Sequence, residues 1–166
     1  VPFAGFLLRF PDVTGLNEGA SCVIAANFLF FSTVGRVDYL RRKAGEKMAI
    51  RNILRDTDER LRKKSRPVEQ FDGRLAELLG DMADTMHRAD GVGLAAPQVG
   101  ILRRAVVIDI GEGVIEMVNP EILWKSDELL DEAEGCLSSP GEYGMVKRPK
   151  KVRAAYFDRS GNRCEI

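Results

Sequence analysis

The sequence predicts an α+β domain, in which one amphipathic helix sits among several short strands that follow one another in the chain. Three observations carry that expectation. Apolar residues recur at helical spacing between Phe71 and Gly91. From Ala105 onward they come instead in short runs divided by turn residues, as strands and hairpins do. At 166 residues the chain has room for one domain with a real core.

The helix is the most clearly written element. Asp72 suits an N-cap, where a short acceptor side chain meets the first unpaired N–H groups. Leu75, Leu78, Leu79, Met82 and Met86 then share one face, and Gly91 is expected to end the helix as a C-terminal glycine. His87 lies beside this stripe and reads as a boundary side chain. It is the only histidine in the chain, so it cannot build a multi-histidine site.

The strands follow. Residues 105–110 (AVVIDI) form a nearly continuous apolar run suited to a buried strand. Gly111-Glu112-Gly113 turns it into a second strand over residues 114–119, as a hairpin. Pro120 separates a further strand at residues 122–124. Residues 127–134 are acidic and are expected to be a solvated approach to a cysteine loop. Val152, Ala154 and Tyr156 alternate with charged or small neighbours, which predicts a half-buried strand. Residues 158–162 (DRSGN) are a turn, and residues 163–166 begin a last strand.

Composition narrows the function classes. Hydrophobic residues make up 45% and charged residues 30%, as in ordinary globular chains. Basic and acidic residues number 25 each, so no global field draws the protein to nucleic acid or membrane. Two basic runs, residues 60–66 (RLRKKSR) and 147–153 (KRPKKVR), read as solvated faces, with a weak docking patch for an acidic surface such as ribosomal RNA as the alternative. Cys22, Cys136 and Cys164 are too few and too scattered for a disulfide framework, and fit a reducing cytoplasm. The apolar run 22–34 is too short to span a membrane and lacks the basic stretch of a signal peptide.

Two loops carry the chemistry. Residues 91–100 (GVGLAAPQVG) match a loose dinucleotide fingerprint, but that motif needs a strand before it and a helix after it. Here a helix precedes the loop and a strand follows, so no helix N-terminus is available for a pyrophosphate. Its glycines would let another backbone approach closely, and Gln98 offers both a donor and an acceptor. Residues 134–141 (EGCLSSPG) hold Cys136 in a tight loop. Alone it could be a small buried hydrophobe, a nucleophile paired with His87, or a metal ligand.

Together these loops closely resemble those of the peptide deformylases. The resemblance extends from Met48 to Ile166 and includes MAIRNIL at the start, LRKKSRPV over 61–68, the helix, and VNPEI from Val118. Ser139 departs from the pattern, standing where the family places a larger apolar residue. The resemblance implies short antiparallel strands packed around helices, and a metal-dependent hydrolase that removes the N-formyl group from the formylmethionine of newly made polypeptides. It implies Cys136 as a metal ligand, Gln98 and the Leu137 backbone N–H as donors to the formyl oxygen, and Val92, Gly93 and Gly135 as partners of the substrate backbone. The metal is commonly Fe²⁺, and a cysteine with two imidazoles would also accept Zn²⁺, Ni²⁺ or Co²⁺.

The family's third motif, a helix bearing His-Glu-x-x-His, is absent. Its two histidine ligands are expected beyond Ile166, with the central metal-binding helix missing from this chain and the chain inactive as it stands. The alternative is a catalytically dead relative that binds N-terminal peptides. Without the missing helix, the faces carrying Val107, Ile115 and Val152 are expected to lose their cover. The implied setting is the bacterial cytoplasm rather than an organelle, with nascent formylmethionyl peptides and the ribosome surface as partners, and neither DNA nor membrane.

Composition breaks near residue 48. Phe3, Phe6, Phe10, Phe28, Phe30 and Phe31 precede it, and only Phe71 and Phe157 follow. Residues 1–47 lack a sustained period, carry more acid than transit peptides do, and begin with Val1. The working domain is therefore expected at 48–166, with Met48 as its start. In a gene with its C-terminal part restored, removing residues 1–47 should leave activity and melting temperature unchanged. A substantial fall in either would assign the segment to the fold.

Overall fold

The computed structural model describes residues 49–166, so the expectations for residues 1–47 and for Met48 lie outside them. Asp72 caps α1 (Gly73–Arg88), its Oδ1 accepting from the backbone N–H of Arg74 at 3.0 Å and of Leu75 at 3.1 Å. Leu79, Met82 and Met86 are fully buried and face β1 (Gly93–Ala95) and β2 (Ala105–Ile108). Burying such side chains is worth about 1.5–3 kcal/mol each relative to leaving them exposed. The end of α1 differs from expectation. Asp90, not Gly91, takes the left-handed conformation (φ 57°), and the Gly91 N–H reaches back to the Met86 carbonyl at 3.0 Å. Aspartate tolerates that region because its short side chain can bond locally. Gly91 meets a different need, since Leu137 packs where its Cβ would be.

The expected hairpin is present: β2 pairs antiparallel with β3 (Ile115–Lys125). Residues 122–124 are no separate strand, since β3 runs on through Pro120. The register with β6 (Val152–Phe157) slips between Val118 and Glu121, which lets the chain absorb the proline. Asn119 sits in this bulge at φ 51°. Its amide accepts from the Val68 N–H and donates to the Val68 carbonyl, both at 2.8 Å. β7 (Arg163–Glu165) completes a five-stranded sheet ordered β1-β2-β3-β6-β7, and the 158–162 turn is held by Asp158, which accepts from the Ser160 and Asn162 N–H groups.

The acidic stretch is a strand rather than a solvated approach. β4 (Leu129–Cys136) pairs along its length with β5 (Ser139–Pro149) in a separate two-stranded sheet. Cross-strand charge stabilises it: Arg148 grips Glu134 with two bonds of 2.9 Å, and Lys150 meets Glu128 at 2.7 Å. In β6 the expected alternation fails, because Ala154 and Ala155 are both buried. Contrary to expectation Val107 is fully buried under α1, while Ile115 is half-buried and Val152 is exposed.

An extended strap, residues 49–58, ties these parts together. The Arg51 guanidinium meets Asp81 at 2.7 Å, and the Arg51 N–H donates to Thr85 Oγ1 at 2.9 Å. Further on, the Leu54 N–H donates to the Gln98 carbonyl at 2.8 Å and the Asp56 N–H to the Ser138 carbonyl at 3.0 Å. A 3₁₀ turn over Glu59–Arg62 follows, capped by Asp58. Arg60 holds the Asp58 carboxyl down at about 2, so that pair is complete above the ordinary 3.8 and is lost as pH falls toward 2.

Asn119 joins the chain at Val68 to the sheet from a left-handed position. Asn119→Ala removes two hydrogen bonds and places an ordinary side chain at positive φ, for an expected loss of about 2–4 kcal/mol. Asp72→Ala should cost only about 1 kcal/mol. Urea denaturation compares the two, and equal losses would contradict this ranking.

Candidate functional site

The candidate site forms where the 91–100 loop meets the end of β4. After α1 the chain passes Asp90 and Gly91 into β1, and Ala96–Val99 then makes a 3₁₀ turn that closes on Gly100 at φ 83°. The dinucleotide reading fails in the structure as in the sequence, since the glycines lead into a short strand and not a helix N-terminus. The turn presents Gln98. Its Oε1 accepts from the Ala95 N–H at 2.9 Å, which leaves Nε2 directed at Ser138 Oγ (3.2 Å) and Cys136 Sγ (3.7 Å). Thus Gln98 and Cys136, thirty-eight residues apart, are brought into contact.

Gly91 forms the seam between the two loops. A Cβ there would lie 2.6 Å from Leu137 Cδ1, with two further Leu137 carbons within 3.3 Å. Leu137 packs over the bare glycine, which fixes how closely the cysteine loop can approach. Gly93 is different, because a Cβ there would make only ordinary contact, at 3.7 Å from the Val107 carbonyl. The Val92 carbonyl is taken by the Asp109 N–H at 3.0 Å. By the alternation of an antiparallel pair, the polar groups of Gly93 face away from β2. Among the described residues β1 is an edge of its sheet and β4 pairs only with β5, so both have an open side where the loops adjoin. A Cβ on Gly135 would approach the Tyr143 ring to 3.1 Å.

His87 and Cys136 do not form a catalytic pair: buried His87 Nε2 meets Asp109 Oδ2, on a half-buried side chain, at 2.8 Å, while the thiol meets Gln98. Three contributors escaped the sequence reading. Ser138, with no exposed surface, positions the Gln98 amide. Leu54 and Asp56 hold the two loops through backbone N–H groups, which leave no mark in a sequence. A serine directly after Cys-Leu was the only readable signal among these.

The comparisons with known proteins follow this geometry. Residues 50–166 match the polypeptide deformylase family. The chain belongs to that family. The peptide deformylase of Thermoanaerobacter pseudethanolicus is 55% identical over 119 residues, covering 72% of this chain and 74% of that protein. That of Caldicellulosiruptor bescii is 60% identical over 119 residues, covering 72% and 71%. Among solved structures, the Thermotoga maritima peptide deformylase superposes with a TM-score of 0.70 at 40% identity, over 70% of this chain and 80% of that one. The Ehrlichia chaffeensis enzyme, solved in complex with actinonin, gives 0.70 at 37%, over 72% and 74%.

Deformylases act on formylated nascent peptides and are metal-dependent. Cys136 is half-buried and a suitable thiolate donor. Among the described residues, however, no group of three His, Cys, Asp or Glu side chains converges. Neighbouring Glu134 is engaged by Arg148, and the chain's one histidine by Asp109. Cys136 is thus a single candidate donor, without two further candidate ligands beside it among the described residues.

The seam makes a contrast between two glycines. Gly91→Ala must displace Leu137 and should lower stability by about 1–3 kcal/mol, with faster alkylation of Cys136 as its loop loosens. Gly93→Ala should leave both nearly unchanged. Urea melts and iodoacetamide kinetics read both effects, and similar behaviour of the two variants would refute the seam.

Proposed function

We propose that this chain binds the formylated N-terminus of a nascent peptide and polarises its formyl group, as the substrate-holding part of a peptide deformylase in a bacterial cytoplasm. The observation that carries this reading is the Gln98 amide, held by Ala95 so that Nε2 points at Cys136. A donor fixed in that way can meet an oxygen as negative charge develops on it, without reorienting at the moment of reaction. The Leu137 backbone N–H is the second donor. Gly93 and Gly135 lie on the two open strand edges and take an extended backbone by strand addition, with Val92 beside them. Recognition through backbone groups is indifferent to downstream side chains and suits substrates as varied as nascent chains.

Cys136 is assigned as one thiolate ligand of the metal, Fe²⁺ by resemblance, with Zn²⁺, Ni²⁺ or Co²⁺ as acceptable replacements. A single thiolate does not hold such an ion, and one histidine, itself engaged by Asp109, cannot add two imidazoles. The described residues therefore bind and orient the formyl group but do not generate a nucleophile.

Incubating the purified chain and Fe²⁺ or Ni²⁺ with a formyl-Met tripeptide should give no turnover above buffer, and metal-dependent turnover would refute the inactivity. Binding of that tripeptide, followed by calorimetry, should fall at least about fivefold in Gln98→Leu, which removes a donor but keeps the size. Unchanged binding in that variant would overturn the role given to Gln98.

A further inference from the structure

The two basic runs look alike in sequence, and the structure separates them. In residues 147–153, Lys147, Arg148 and Lys150 face acids across the β4–β5 hairpin, namely Asp131, Glu134 and Glu128. In residues 60–66 only Arg60 is so matched, with Asp58 at 2.6 Å. Arg62, Lys63, Lys64 and Arg66 are exposed, and among the described residues none of them joins an ion pair. The nearby acids Asp56 and Glu59 are exposed and make no ion pair with them.

The fold then adds a cation from elsewhere in the chain. Arg66 and Arg103 are partners in an isolated parallel bridge, bracketed by Arg66 N–H to Leu102 carbonyl at 3.0 Å and Arg104 N–H to Arg66 carbonyl at 2.9 Å. Like charges on paired backbone positions repel one another, and no carboxylate among the described residues bridges them. None of the large exposed apolar side chains falls within residues 55–66 or 100–104. A membrane-surface site or a protein interface draws its affinity from apolar anchors, which this patch lacks. A phosphate backbone asks only for charge and for the guanidinium fork.

We propose that Arg62, Lys63, Lys64, Arg66 and Arg103 form a surface that binds RNA through its phosphate backbone, without reading its sequence. The affinity for phosphate follows from the unneutralised cations alone. The choice of RNA over DNA rests on the family's nascent-chain substrate, since RNA is the polyanion that accompanies nascent chains. The patch adjoins the candidate site through the 98–104 segment, so a bound RNA would lie beside the peptide without occupying its groove.

The test follows the anisotropy of a labelled RNA duplex of roughly 20 base pairs with the full chain, between about 50 and 200 mM KCl. A plot of log affinity against log salt should have a slope of about −3 to −4. The Arg62→Gln, Lys63→Gln, Lys64→Gln, Arg66→Gln variant should lose at least about tenfold in affinity and flatten the slope by about 2–3, and Arg62→Gln with Lys64→Gln by about half of that. A control matched in charge to that double variant, Lys147→Gln with Lys150→Gln, should change affinity by less than about twofold, because Asp131 and Glu128 already face those cations. Near-UV circular dichroism should be the same for all. Equal losses in Arg62→Gln with Lys64→Gln and in Lys147→Gln with Lys150→Gln, salt-independent binding, a clear preference for a DNA duplex, or equal affinity for phosphatidylglycerol vesicles would each overturn the proposal. Formyl-peptide binding measured on the same variants should stay constant, so failure of the RNA surface is separable from failure of the deformylase reading.

Discussion

The candidate site depends on an amide that cannot rotate. A glutamine side chain can offer either its oxygen or its nitrogen to a neighbour. At Gln98 that choice is made by the Ala95 N–H, which only an oxygen can accept. The nitrogen must then face Ser138 and Cys136, and buried Ser138 holds it there. A donor whose direction is set during folding has no reorientation left to make when charge appears on a substrate oxygen. Removing either restraint would leave the same residues present with their geometry undefined.

That geometry rests on a strap of irregular chain. Residues 49–58 form no strand of the main sheet, yet their backbone N–H groups bond Gln98 on one loop and Ser138 on the other. Arg51 anchors the strap to α1 through Asp81 and Thr85, so the helix, the glycine loop and the cysteine loop share one support. The bare face of Gly91 then sets how near the cysteine loop can come. Each contact is modest by itself. Their convergence on a few backbone groups is what makes the site a single unit.

Charge plays two different parts in this chain of zero net charge. On the β4–β5 hairpin, opposite charges face each other and stabilise a two-stranded sheet that has little apolar surface to bury. Along residues 62–66 the cations join no ion pair among the described residues and gain Arg103 beside them. Composition treats the two runs as equivalent. Only the identity of the facing strand distinguishes a neutralised surface from one still able to attract an anion.

The sequence by itself determined the α+β class, the start and cap of α1, the β2–β3 hairpin, the final turn and the two loops from which the family is recognised. Each of these is written locally, in a period of apolar residues, a capping side chain or an ordered motif. Tertiary structure decided the rest. Asp90 took the left-handed position expected at Gly91, and Gly91 instead lies bare under Leu137, which is distant in sequence. The acidic stretch became β4 because a basic partner strand faces it, and no apolar alternation announces that pairing. Pro120 failed to divide β3 because Asn119 absorbs the slip in register through its bonds to Val68. Cys136 was legible as a chemical group, but its contact with Gln98 exists only once β1 and β4 are brought together. A local signal can name a residue, whereas contacts across tens of residues depend on strand partners that no short window of sequence contains.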